Sequence, residues 1–126
     1  MSLKTATLAE LARKRAGIGP VRTEQTGSPY SGAGTAPSAN GDGVDTSSAV
    51  LVNVIITTTG GPSTWTLRGR SEGQVNTFDE MDGFVDVVTP ADVRRKYRVY
   101  CETEDELHVE VASGTTTKVE IEPCNG

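Results

Sequence analysis

Residues 49–58 read AVLVNVIITT, a run that is apolar or β-branched at almost every position. Val, Ile and Thr lose side-chain freedom in a helix and pack well on a pleated surface, so the run reads as a strand. It is apolar on both faces, as expected of a strand buried on both sides or lying at an interface. Gly60-Gly61-Pro62 ends it, because Gly and Pro punctuate regular structure.

Working towards the C-terminus, the period of two persists. Residues 64–70 alternate, with Trp65 and Leu67 on one face and Thr66 and Arg68 on the other. Residues 73–78 read as a short strand, 79–83 (DEMDG) as a turn, 84–88 as another strand and 89–92 (TPAD) as a break. Residues 96–102 set Tyr97, Val99 and Cys101 against Arg98 and Tyr100. Residues 107–112 place Leu107, Val109 and Val111 inward with His108 and Glu110 outward, and 116–122 place Val119 and Ile121 inward. Six to seven short antiparallel strands at this spacing predict an all-β domain, either a β-sandwich or a small jelly-roll-like barrel. The position of Trp65 after the first run, and the YRVYC stretch at 97–101, make it loosely immunoglobulin-like. The first-sheet cysteine of that pattern is missing, and Val99 stands where a tyrosine corner has Tyr.

Working towards the N-terminus, the composition changes. Residues 7–16 (TLAELARKRA) predict one short helix, with Thr7 and Glu10 forming a capping box and Gly17 placed to stop it. Leu8, Leu11 and Ala12 form its apolar stripe, and Arg13, Lys14 and Arg15 lie in the last turn, where cations suit the helix dipole. A ten-residue helix is too short to persist alone in water, so it is expected to form on docking. Residues 17–47 are rich in Gly, Pro, Ser and Thr, and Ile18, Val21, Tyr30 and Val44 are their only sizeable apolar residues. Such a segment cannot bury enough surface to offset its ordering entropy. The division expected is an N-terminal arm, 1–47, and a compact β-domain, 48–126.

Charge follows the same division. The first 22 residues carry five cations and one acid, whereas residues 48–126 carry seven cations and thirteen acids. A basic head on an acidic body implies different partners for the two ends. No apolar run reaches the ~20 residues a membrane span needs, and the N-terminus lacks the apolar core of a signal peptide, so a protein made in the cytosol and not exported by the usual route is expected. Cys101 and Cys124 lack metal-ligand spacing. They read as two thiols or, in an oxidising setting with closely placed strands, as a disulfide clip on the C-terminal tail.

Catalytic chemistry finds little to work with. His108 is the single histidine, on an expected outer face between acids, and no nucleophile–base–orienter set can be assembled around it. Asp79, Glu80, Asp82 and Asp86 lack the spacing of a calcium loop. Glu102, Glu104, Asp105 and Glu106 read as a solvated hairpin tip. Arg94, Arg95, Lys96 and Arg98 read as a solvated face making ion pairs within the chain, and without interleaved aromatics they do not suggest sequence-reading nucleic-acid binding. No catalytic residue, metal site or cofactor is expected.

The layout of helix 7–16, arm to Ser47 and strands from Ala49 onward resembles small virion structural proteins of tailed bacteriophages: decoration (cement), minor capsid and neck or tail accessory proteins. That resemblance implies a non-enzymatic protein of the virion that binds capsid, neck or tail subunits and forms a homo-oligomer or symmetric array. The docking residues it implies are Leu8, Leu11, Arg13, Lys14 and Arg15 on the helix, with Val21 and Tyr30 as anchors along the arm. The alternative is a β-module binding a carbohydrate or host-surface receptor, with Trp65, Tyr97 and Tyr100 as its stacking surface.

Overall fold

A computed structural model describes residues 23–25, 37, 40–101, 103–113 and 116–124. Helix 7–16 and the docking residues Leu8, Leu11, Arg13, Lys14, Arg15, Val21 and Tyr30 lie outside the described residues. Nine strands form two antiparallel sheets: β1 (Thr23–Glu24), β2 (Val44–Asp45), β3 (Leu51–Thr59), β4 (Ser63–Ser71), β5 (Asp79–Glu80), β6 (Val87–Thr89), β7 (Arg94–Tyr100), β8 (Glu104–Ser113) and β9 (Thr116–Cys124). Sheet I has the order β1-β9-β3-β7, and sheet II the order β2-β8-β4-β5, with β6 also on β4. The all-β sandwich expected from the sequence is what forms.

Alternation along each strand fills the space between the sheets. Val52, Val54 and Ile56 of β3, Val99 of β7 and Val119 and Ile121 of β9 meet Trp65 and Leu67 of β4 and Leu107, Val109 and Val111 of β8. The positions on β4, β7, β8 and β9 are the inward ones expected from the sequence, whereas the run 49–58, apolar on both faces, gave no inward face for β3. Each such side chain contributes roughly 1.5–3 kcal/mol by leaving water. Trp65 is fully buried, stacked on Phe84 at 6.3 Å and meeting Tyr97 edge-on at 5.1 Å. Its Nε1–H donates to Thr89 Oγ1 (2.9 Å), which also shares a hydrogen bond with the Tyr97 hydroxyl. A buried indole needs such an acceptor, and here one threonine of β6 holds an aromatic from each sheet.

Several expectations are corrected. Residues 73–78 form a loop, and the ladder on β4 is instead made by Asp79–Glu80, within the stretch expected to turn. Glu104 and Glu106 are not a solvated tip; both are buried in β8. His108 is buried too, with its Nδ1 3.2 Å from the carbonyl of Asp42. The sandwich also takes in residues counted with the arm on composition. β1 pairs with β9, β2 pairs with β8, and Gln25, Val44 and Thr46 are buried.

Gln25 is the firmest of these attachments. Its backbone N–H donates to the Val119 carbonyl of sheet I at 2.9 Å. Its side-chain amide turns to sheet II, donating to the Val109 carbonyl at 3.0 Å and accepting from the Val109 N–H at 2.7 Å. The amide thus stands in for a strand where β2 no longer covers β8.

Candidate functional site

Two surfaces gather polar chemistry. The first is on the outer face of sheet II, where residues 40–43 strap across β8. Asn40 and Asn76 clasp each other, each side-chain carbonyl accepting the other's backbone N–H at 2.9 and 2.7 Å. Asn76 takes a positive φ of 52° to do so, a conformation Asn tolerates better than most residues. The N–H groups of Gly41 and Gly43 donate to Glu106 Oε1 at 2.9 and 3.1 Å, and Arg70 pairs with Glu106 Oε2. A cleft of about 530 Å³ opens beside this pair, lined by Gly41, Gly43, Asp45, Ser47, Arg70, Asp105 and Glu106. Its central carboxylate is already held by three donors. The site is therefore a structural lock on the strap, with its acceptor capacity largely used.

The second surface is the outer edge of β7. This strand pairs with β3 on one side and with no described strand on the other. Arg94, Arg95, Lys96 and Arg98 are all exposed along it. Among the described residues, none of the four makes an ion pair or side-chain hydrogen bond. Glu110 and Glu80 pair with Arg68 at 2.9 and 3.7 Å, and Glu106 with Arg70. Among the described residues, β7 is a seven-residue cationic edge strand on a protein that is acidic overall.

No family model, curated protein or solved structure matches the chain. Its function rests on its own geometry.

Among the described residues no cluster of three or more His, Cys, Asp or Glu side chains is arranged to hold a metal ion. Trp65 is unavailable as a stacking surface, being wholly enclosed, and Tyr97 packs against it. Of the aromatic trio considered for ligand stacking, Tyr100 alone is an exposed residue. Cys101 is buried, its N–H bonded to the Val50 carbonyl, while the backbone of Cys124 is opposite Leu51 on the far side of β3. Two strand spacings separate them, about 10 Å, beyond the ~7 Å Cα separation a disulfide spans.

Two elements mattered that sequence reading passed over. Gln25 has no patterned neighbours to mark it, and its partner lies 84 residues away. The Asn40-Gly41-Asp42-Gly43 stretch has the composition of a turn, but nothing local shows that it straps a sheet.

Proposed function

We propose that the chain is a non-enzymatic virion structural protein of the decoration or cement type, bridging neighbouring subunits of an assembly. The open cationic edge of β7 carries this reading. Four cations without partners among the described residues favour an acidic surface or an acidic extended segment, and an edge that no described strand covers offers ladder hydrogen bonds to the same partner. β7 and β1 are the opposite edges of sheet I. The basic N-terminal segment joins at β1, so the two positively charged elements point to two different neighbours, as a bridge requires. Leu8, Leu11, Arg13, Lys14, Arg15, Val21 and Tyr30 are the arm residues proposed to make the second contact.

The test is density-gradient purification of particles from cells carrying the gene. Stoichiometric cosedimentation of the chain is expected, reduced at least tenfold by Arg95→Glu/Lys96→Glu/Arg98→Glu, since rim charges set steering and partner choice. Absence of the chain from particles, or cosedimentation unaffected by both the β7 and the arm substitutions, overturns the reading.

A further inference from the structure

Two hydrogen bonds fix which backbone groups β7 turns outward. At one end of the β3–β7 ladder the Cys101 N–H donates to the Val50 carbonyl, and at the other the Thr58 N–H donates to the Val93 carbonyl at 2.9 Å. The register runs unbroken from Leu51↔Tyr100 to Thr57↔Arg94, so Cys101 lies opposite Val50 and Val93 opposite Thr58. In an antiparallel ladder, opposed residues that exchange hydrogen bonds alternate with opposed residues that do not. Arg95, Tyr97 and Val99 therefore share the phase of Val93 and Cys101 and bond to β3. Arg94, Lys96, Arg98 and Tyr100 direct their N–H and C=O groups the other way, where no described strand lies.

The same four residues share a side-chain face. Tyr97 and Val99 pack into the core, so Arg94, Lys96, Arg98 and Tyr100 project from the outer face of sheet I. All four are exposed, Tyr100 by 54%. Backbone bonding capacity and positive charge thus coincide residue by residue. A strand laid along this edge exchanges hydrogen bonds with a cation at every second position, its own side chains there lying on the same face about 5.5 Å away at Cα. The β7 of a second copy suits this place badly, since it sets these cations against themselves, and like charges directly opposite are destabilising.

We propose that the β7 edge binds an extended acidic segment of a partner protein as a strand added beside β7, with Asp or Glu at alternate positions opposite Arg98, Lys96 and Arg94 and an apolar residue opposite Tyr100. The added strand runs antiparallel, the more stable ladder per residue, which also sets each acid directly opposite its cation. Read from its N-terminus, the segment is apolar-x-acid-x-acid-x-acid. Its ladder hydrogen bonds give affinity, and the alternating acids give register and specificity. The inference rests on the partner reading of β7 given above and narrows that partner from an acidic surface to an acidic strand.

The probe is the peptide Val-Thr-Glu-Thr-Glu-Thr-Glu, blocked at both ends and titrated at low salt into the full chain while amide exchange is followed by NMR. In the free chain the amides of Lys96, Arg98 and Tyr100 are expected to exchange fast and those of Tyr97 and Val99 slowly. Saturating peptide is expected to slow the first set at least about tenfold and to leave the second unchanged. Methylating the N–H of the middle Glu, which donates to the Lys96 carbonyl, is expected to weaken binding at least about tenfold, whereas methylating a Thr N–H, which faces away, changes it less than about twofold. Lys96→Gln/Arg98→Gln, at exposed positions, is expected to weaken binding about tenfold, as is the peptide Val-Glu-Glu-Glu-Thr-Thr-Thr of equal composition. No binding at millimolar peptide overturns the proposal. Equal binding of the block peptide, or binding without amide protection, also overturns it and returns the partner to an acidic surface. Protection already present in the free chain, or rising with its concentration alone, overturns it as well, the latter assigning the edge to a second copy. Cosedimentation with particles is read separately: particle binding without peptide protection sinks this inference alone, and peptide protection without particle binding sinks the virion reading alone.

Discussion

The side-chain amide of Gln25 bonds to both backbone groups of Val109, while the backbone of Gln25 bonds to Val119 in the opposite sheet. One residue near the N-terminus therefore closes the side of the sandwich. Gln25→Ala leaves the buried N–H and C=O of Val109 unpaired, and buried unpaired groups cost about 1–3 kcal/mol each. A loss of roughly 2–4 kcal/mol in urea unfolding is expected, with faster amide exchange at Val109. Truncation to residues 48–126, which removes β1, Gln25, β2 and Thr46, is expected to be more damaging than the single substitution. A truncated domain of undiminished stability would show that the β1 and β2 ladders contribute nothing.

Thr89 offers a cleaner comparison because its shape can be kept while its chemistry is removed. Thr89→Val deletes the acceptor of Trp65 Nε1–H and the partner of the Tyr97 hydroxyl. The indole N–H is then buried without an acceptor, for a cost of about 1–3 kcal/mol. Thr89→Ser keeps the hydroxyl and is expected to lose only the packing of one methyl, about 1 kcal/mol. Chemical denaturation followed by Trp65 fluorescence separates the two. Equal losses would mean that packing, and not the hydrogen bonds, holds the aromatic pair.

The strap on sheet II makes a prediction about glycine. A Cβ at Gly43 would sit 2.9 Å from the Leu107 carbonyl oxygen and 3.1 Å from the Phe78 ring. The first is backbone of a central ladder and cannot move alone, so Gly43→Ala must lift the strap and loosen its bonds to Glu106. Overpacking of this kind costs typically about 1–3 kcal/mol. At Gly69 the closest atoms, Glu104 Cγ and Met81 Sδ, belong to side chains, which can turn aside. Gly69→Ala is expected to cost less, and paired melting curves give the order. The reverse order would place the rigidity on the β5 side of sheet II.

What could be read from the sequence was what depends on near neighbours. Alternation fixed the inward faces of β4, β7, β8 and β9, because a period of two survives whatever the strand pairs with, while β3, apolar on both faces, showed no such alternation. The ends of the chain's edges were not legible. β1, β2 and β5 have two residues each, too few to show any period. Glu104, Glu106 and His108 looked solvent-facing because they are polar. They are buried because residues 40–43 and Thr46, some sixty positions earlier, cover that part of β8. The cationic run 94–98 was visible, but that it meets no acid among the described residues was not, since ion pairs such as Arg68–Glu110 and Arg70–Glu106 depend on which strands lie side by side.

That unpaired run separates two roles that an edge cation can play. Charges on an open edge discourage strand-to-strand aggregation, and they also attract an acidic partner. Because Arg95, Lys96 and Arg98 make no ion pair among the described residues, neutralising them to Gln is expected to leave unfolding free energy within about 0.5 kcal/mol of the parent. If the cations serve only to keep the edge apart, the triple Gln variant self-associates in sedimentation velocity, and reversal of all three to Glu, which also keeps the edge charged, restores the monomer with no further effect. If they serve a partner, the Gln variant and the Glu variant both lose particle binding, the Glu variant more, and the parent's binding weakens as salt rises. The salt response follows because exposed charges more than about 10 Å apart are screened at 0.1 M. Binding by the Glu variant equal to the parent's would remove the β7 edge from the interface and leave the N-terminal segment as the sole contact.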